Sequence, residues 1–462
     1  MAETTTPTKG FPKSFWTANV TELFERGAYY AMASFVVIYL GQLGLGNYWP
    51  STLNGILWTV IYFLPILSGT IADHVGFRKS LILAFILVAG GYLCMSYPVL
   101  IAGNTLSDTV LPHVTAKADV IIAVLAGIVL IGVGGSFVKP VISGTVQKTS
   151  VGKATLGFAI FYMVINIGSL FGRGVSYFVR TRFDNLSLIF VVAAACAIIA
   201  LITVIFFYTD PEKESGVTVA AKPKKTVGEI LLNMVMVLKN GRFAMFLLVS
   251  SGFYFLYAQV YNVLPLYLKK VVETNPAVDI YTMANPFIIV FFQLLITRMF
   301  GKMKPIRSII IGIVIIGLSM AINIVPIFMT GGVRVRVFDL LPIGALMIVL
   351  TVAMIAFGEL FTSARTYEYI GALAPKGQEG LFLGYANLPM AIGALIGGPA
   401  GAAIFNEIMA KDAKTLPNGL LELNPVNNAK GWMLLMGIGL ASAVSMWLYN
   451  RWLTSVNDKS QE

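Results

Sequence analysis

Runs of about twenty apolar residues, separated by short polar breaks, fill nearly the whole chain. An α-helix rising 1.5 Å per residue needs about that many to cross roughly 30 Å of hydrocarbon. Reading the breaks predicts helices over 15–43, 51–72, 80–102, 119–142, 154–179 and 187–208, then 243–268, 280–299, 306–329, 340–364, 379–406 and 430–453. The pattern is that of an all-α membrane protein with twelve transmembrane helices in two six-helix bundles, 1–208 and 243–462. Residues 209–242 join them, and Val227 to Leu238 is apolar enough to lie along a membrane surface as an interfacial helix.

Composition agrees with lipid as the solvent: 57% of residues are hydrophobic, 12% are charged, and the mean hydropathy is +0.80. The formal net charge of +11 does not point to nucleic acid, because the basic residues sit in short breaks between apolar runs. Anionic lipid headgroups account for them. With the N-terminus inside, the breaks holding Arg78, Lys79, Lys222, Lys224, Lys225, Arg298, Lys302, Lys304 and Arg307 face the cytoplasm, as short positive loops should. Both termini are then cytoplasmic, and outer loops receive Arg180, Arg182, Lys269 and Lys270. Arg26, Lys139 and Arg173 stay inside predicted helices, and Arg365 at the very end of one. Nothing at the start reads as a cleavable signal peptide, and Cys94 and Cys196 fall in apolar runs as small hydrophobes.

Charges within a span cost about 2.5–3.5 kcal/mol each on insertion scales, so they mark function. The first predicted helix holds Glu22, Glu25 and Arg26 with Tyr29 and Tyr30, at offsets that place all five on one helical stripe. After the second, Gly69-Thr-Ile-Ala-Asp73-His74-Val75-Gly76-Phe77-Arg78-Lys79 is close to the signature of the major facilitators: Gly, three residues, an acid, then Gly and a basic pair. Asp73, Arg78 and Lys79 are expected to latch one bundle against the other through bonds that break on a change of state.

Further motifs resemble a narrower family, the proton-dependent oligopeptide transporters. Their first helix carries Glu-x-x-Glu-Arg-Phe-x-Tyr-Tyr, matched by Glu22 to Tyr30 except for Gly27 in place of Phe. Lys139-Pro140 is similar to their Gly-x-Lys-Pro, and Phe161-Tyr162-Met163-Val164-Ile165-Asn166-Ile167-Gly168-Ser169-Leu170 resembles their fifth-helix signature closely. Tyr62, Asn285-Pro286, and Gly358-Glu359-Leu360-Phe361-Thr362-Ser363 with Leu373-Ala374-Pro375 extend the likeness into the second half. The resemblance implies the major facilitator fold and proton symport of di- and tripeptides by alternating access. It assigns proton coupling to Glu22, Glu25 and Arg26. It assigns substrate binding to Tyr29, Tyr30, Tyr62, Lys139, Asn166, Asn285, Glu359 and Ser363, with Asn285 and Glu359 receiving the ammonium group.

Two charges usual in the family are missing: Ala33 stands where an Arg is common, and Ala258 precedes Gln259 where a Glu is common. Arg365 and Glu368 add charges beyond Glu359 and read as gating or structural groups. These departures keep open a same-fold carrier of a non-peptide organic anion or lipid-like metabolite. No zinc pattern, phosphate loop or nucleophile elbow is present, so neither an enzyme nor an ATP-driven pump is expected. The expectation is a monomeric carrier in the plasma (bacterial inner) membrane, driven by a proton gradient without a cofactor. Its partners would be a small peptide-like substrate, protons and the lipid bilayer, with no nucleic acid.

Overall fold

Backbone polar groups in hydrocarbon must be satisfied within their own segment, which leaves helices as the natural choice for these apolar runs. The computed structural model describes residues 10–150, 154–183, 185–215, 227–300, 302–373 and 385–459. Twelve helical passages run through those residues. In the first half α1 is Lys13–Ala33 continued by Val36–Gln42, α2 is Trp49–Phe63 continued by Pro65–Val75, and α3 is Phe77–Leu100. Next come α4, Ala118–Thr149, α5, Ala154–Phe183, and α6, Ser187–Phe207. In the second half α7 spans Gly241–Val272, its last turn π-helical, and α8 is Val278–Thr282 continued by Ala284–Phe300. The rest are α9, Pro305–Phe328, α10, Ile343–Leu373, α11, Leu388–Met409, which also ends in a π-turn, and α12, Pro425–Lys459.

Nine of these passages are long and apolar enough to cross a membrane by length and composition. The others are α1, which carries Glu22, Glu25 and Arg26, α5, which carries Arg173, and α8, whose apolar part is shorter. In the first half α1 packs on α5 and α6, and α3 on α4 and α6; in the second α9 packs on α10 and α12, and α7 on α11 and α12. The halves meet along α2 with α11 and along α5 with α8. These two seams exchange when the second six helices are counted like the first, as expected of a repeat.

Close helix crossings come from glycine. At the α1–α5 crossing a Cβ on Gly168 would lie 2.8 Å from both the Arg26 Cβ and the Leu23 carbonyl. Phe171 of α5 lies over Gly27, so the missing motif phenylalanine is replaced by an aromatic ring from the neighbouring helix. Gly393, Gly397 and Gly401 of α11 face α7, while Gly398 faces Ser51 and Gly55 of α2. One glycine-rich helix thus fits closely against both halves.

Several helix ends differ from the predicted ones. Helix α5 reaches Phe183, so Arg180 and Arg182 belong to it and not to an outer loop; α7 takes in Lys269 and Lys270 in its π-turn. Hydropathy ended those helices at the first charge, but long basic side chains carry their apolar stems within a helix and find partners at its end. Residues 379–384 of the predicted eleventh helix lie outside the described residues. A linker helix occupies Val227–Leu238, with Leu232, Val235, Met236 and Leu238 exposed. The Asn185 sequon has a structural use: its Oδ1 accepts from the Ser187 backbone at 3.0 Å and from its hydroxyl at 2.7 Å where α6 begins.

Candidate substrate and gating sites

The predicted stripe on α1 is a buried charge cluster. Arg26 Nη2 donates to Glu25 Oε1 at 2.7 Å and its Nε donates to the other Glu25 oxygen, a side-on fork. Glu22 Oε1 lies 3.5 Å from the same Nε one turn earlier, yet both Glu22 oxygens lack a hydrogen bond among the described residues. None of the three is more than 5% exposed. The Arg26 guanidinium also lies 5.0 Å from the Tyr29 ring centroid, and Tyr29 meets Tyr30 edge to face. One cation between two carboxyls is an arrangement in which a proton on either acid changes the partners of the other.

Beside this cluster, Lys139 of α4 places its Nζ 5.7 Å from the Tyr62 ring of α2. Trp58, one turn from Tyr62, carries the aromatic wall into the second half through Tyr261 of α7, at 5.0 Å between ring centroids. Across the interface, Asn285 Nδ2 of α8 donates to Glu359 Oε2 of α10 at 3.0 Å. Glu359 is half-buried and within electrostatic reach of both Lys139 and Arg173 in the first half. Ser363 lies one turn further along α10, half-buried, and Asn166 of α5 is buried with its amide on the Tyr162 carbonyl at 2.9 Å. The arrangement therefore opposes a carboxyl of one half to cations of the other, between aromatic walls.

Arg173 of α5 had no assigned role in the sequence, yet it is fully buried between the halves. Its Nε donates to Thr282 Oγ1 of α8 at 3.1 Å and its Nη2 to the Tyr261 hydroxyl of α7 at 3.0 Å. Nη1 is held by Ser169 of its own helix, and the guanidinium lies 4.6 Å from the Tyr30 ring centroid. The signal that could have found it was its position as a charge deep in an apolar run.

A second group of contacts joins the halves at the end of the bundle away from the linker. Arg180 of α5 pairs with Asp279 of α8 at 3.3 Å, donates to Asn275 at 3.0 Å, and lies 5.6 Å from the Phe35 ring where α1 is interrupted. Ser34 and Thr282 bring their hydroxyls within 3.3 Å. The α1–α2 turn is gripped from the π-turns: Lys270 donates to Asn47 Oδ1 at 2.8 Å, Asn406 to the Asn47 carbonyl at 3.2 Å, and Tyr48 to Glu407. That last bond raises the Tyr48 phenol above its ordinary range. Lys269 pairs with Asp108 at 2.9 Å beside them. Sequence reading took Arg180, Lys269 and Lys270 for loop charges; here they clasp one half to the other.

Arg78 stands at the linker end of the bundle, where α3 begins. The Arg78 backbone N–H donates to Asp210 Oδ1 at 2.8 Å and its side chain to the Ile205 carbonyl. Glu214 likewise accepts from the backbone of Lys13 at 3.0 Å and Ser14 at 3.1 Å. Two acids at the start of the linker thus cap the N-termini of α3 and α1, where anions are favoured, and in this state, among the described residues, Arg78 bonds to the end of α6 and the start of the linker. Lys79 is exposed nearby. The Asp73 and Glu368 side chains lie outside the described residues. Arg365, half-buried, donates to the Phe300 carbonyl at 3.1 Å and so ties α10 to the end of α8.

A model of the Major Facilitator Superfamily matches residues 15–356, most of the chain. The chain belongs to that superfamily. Family and fold are those of transporters, and the protein is an integral membrane protein. The facilitator is 29% identical over 177 residues to an uncharacterized transporter, YclF, of Bacillus subtilis, covering 36% of this chain and 32% of that one. It is 26% identical over 177 residues to dipeptide and tripeptide permease B of Photorhabdus asymbiotica, covering 37% of this chain and 32% of the permease. The matched stretch spans about a third of the length of each relative. A crystal structure of an oligopeptide-family transporter in complex with a thioalcohol-conjugated peptide superposes with a TM-score of 0.72 at 18% identity, covering 96% of this chain and 97% of that one. That likeness shows the major facilitator fold.

Within the facilitator, the departure at position 258 has a structural explanation, and the one at position 33 has none. Ala258 is buried at the α7–α11 crossing, where a Cβ on Gly397 would lie 3.2 Å from its own, so position 258 serves packing. Ala33 is buried in the last turn before the interruption of α1.

Proposed function

We propose that this facilitator is a proton-coupled symporter of di- and tripeptides or peptide-like solutes. The observation that carries the reading is the opposition of charge across the interface: Glu359, held by Asn285, lies within electrostatic reach of Lys139 and Arg173 of the other half. A zwitterion has an ammonium group for the first and a carboxylate for the second, and burial of either charge requires such a partner. Glu22, Glu25 and Arg26 supply the coupling group, since protonating a carboxyl changes what Arg26 binds and so gives the proton different affinity for two states.

The contacts at the end away from the linker hold the halves together there, which supports an inward-facing state with both termini and the linker in the cytoplasm. Driven by the proton gradient, the carrier needs no cofactor and is not an enzyme. We place it as a monomer in the lipid bilayer of the plasma (bacterial inner) membrane. The permease and peptide-complex relatives support the substrate class; a non-peptide organic anion or lipid-like metabolite is the weaker reading, because Arg173, against the Tyr30 ring on α1, supplies a cation where the one usual at position 33 is missing. Purified protein in proteoliposomes, offered a panel of di- and tripeptides, tests this. Uptake above empty liposomes is expected, and none for any peptide overturns the substrate class.

A further inference from the structure

A guanidinium in the middle of a membrane helix is costly, about 2.5–3.5 kcal/mol on insertion scales even where it can reach water. Arg173 is fully buried, and its hydrogen-bond acceptors are all neutral: Thr282 Oγ1, the Tyr261 hydroxyl, and the carbonyl and hydroxyl of Ser169. Among the described residues no carboxylate hydrogen-bonds to it, Glu359 being within electrostatic reach but not in contact. A neutral amide would link α5 to α7 and α8 at less cost, so the positive charge calls for an anion.

The geometry indicates where that anion goes. Nε and Nη2 form one edge of the guanidinium, the edge that takes the two oxygens of a carboxylate side-on. Here that edge holds two hydroxyl oxygens at 3.1 and 3.0 Å, both supplied by the second half. Ser169 and Tyr30, which fix the arginine from behind, belong to the first half. When α5 parts from α7 and α8, Thr282 and Tyr261 leave together and Ser169 and Tyr30 stay. The fork is then bare and already oriented.

We propose that the Nε–Nη2 edge of Arg173 receives the carboxylate of the substrate in the outward-open state, with Thr282 and Tyr261 standing in for it once the outer side closes. A carboxylate adds the attraction of opposite charges, which the hydroxyl acceptors lack, and it engages both donors of the fork, so opening favours capture. Closure returns the hydroxyls to the fork and passes the carboxylate towards Lys139, while the ammonium end stays with Glu359 and Asn285. The inference rests on the peptide-symport reading.

The test compares uptake of alanyl-alanine with that of its C-terminal amide in proteoliposomes of the full chain. Losing a charged hydrogen-bond pair is worth about tenfold or more, so the wild type should prefer the acid by at least that factor. Arg173→Gln should bring the two substrates to within about threefold, well inside the range of a single neutral hydrogen bond. A folded Arg173→Gln protein that keeps the preference, or a wild type that shows none, overturns the assignment of Arg173. Should Arg173→Gln not fold, Arg173→Lys decides, because it keeps the charge and loses the fork. A raised KM for the acid with the amide unchanged supports the proposal, and equal changes for both overturn it. Uptake of neither substrate by the wild type overturns the peptide reading itself and this inference with it.

Discussion

Asn285 on α8 donates its amide to Glu359 on α10 at 3.0 Å, so an amide and a carboxyl separated by 74 residues share one face of the interface. The pair keeps the carboxyl positioned with one oxygen free of it. Glu359→Gln retains the size and can still hydrogen-bond Asn285, but it loses the charge that would meet an ammonium group. Peptide uptake is expected to fall at least about tenfold, the loss of one charged hydrogen bond, with the melting temperature in detergent unchanged. Uptake kinetics and a thermal melt on the same preparation check both parts.

Coupling and binding separate at Glu25. Glu25→Gln breaks the two-oxygen fork on Arg26 and removes a proton site, but it does not touch the Asn285–Glu359 pair. Gradient-driven uptake is expected to drop about tenfold or more while counterflow exchange, which needs no net proton movement, persists. Equal loss of both activities would place Glu25 in substrate binding or structure.

The Arg180–Asp279 pair is buried on both sides, so Arg180→Ala leaves an uncompensated acid in the interface. Breaking such a pair costs about 3–5 kcal/mol, whereas replacing both partners with apolar groups is often neutral or stabilising. A clear loss of melting temperature is expected for Arg180→Ala, and its recovery for Arg180→Met combined with Asp279→Leu. The double variant lacks the outer ion pair, so its uptake reports what that clasp does for the cycle.

Ser34 and Thr282 approach to 3.3 Å across the interface. Cysteines at both positions, in a background with Cys94 and Cys196 replaced, are expected to cross-link under oxidant and stop uptake, with reductant restoring it. Cross-linking without inhibition would mean that the halves do not part there during transport.

Gly27 stands where the resembled motif has phenylalanine, and restoring that residue should harm the protein. Phe171 already lies over Gly27, and Gly172 approaches the Gly27 carbonyl closely. Overpacking such a crossing typically costs about 1–3 kcal/mol, so Gly27→Phe is expected to lower the melting temperature and the yield of folded protein.

What could be read from the sequence divides along physical lines. Glu22, Glu25 and Arg26 are legible in the sequence because their partners lie one and four residues away on one helix. Asn285 and Glu359 were placed by motif resemblance, and the structure brings them into contact. Arg173 and Arg180 were visible only as charges, since Thr282, Tyr261 and Asp279 reach them from helices about 90 to 110 residues later, a pairing that tertiary packing decides. The signature around Arg78 supplies charge but no direction; the partner it has in this state, Asp210, comes from the start of the linker and caps α3.

Peptide and proton are expected to move inward together, and alanyl-alanine accumulation in proteoliposomes carrying an inward proton gradient, followed with an internal pH dye, measures both. The expected result is accumulation above the external concentration, acidification of the lumen when peptide is added, and loss of both on collapse of the gradient. Peptide that only equilibrates, with no accompanying change in internal pH, would contradict it.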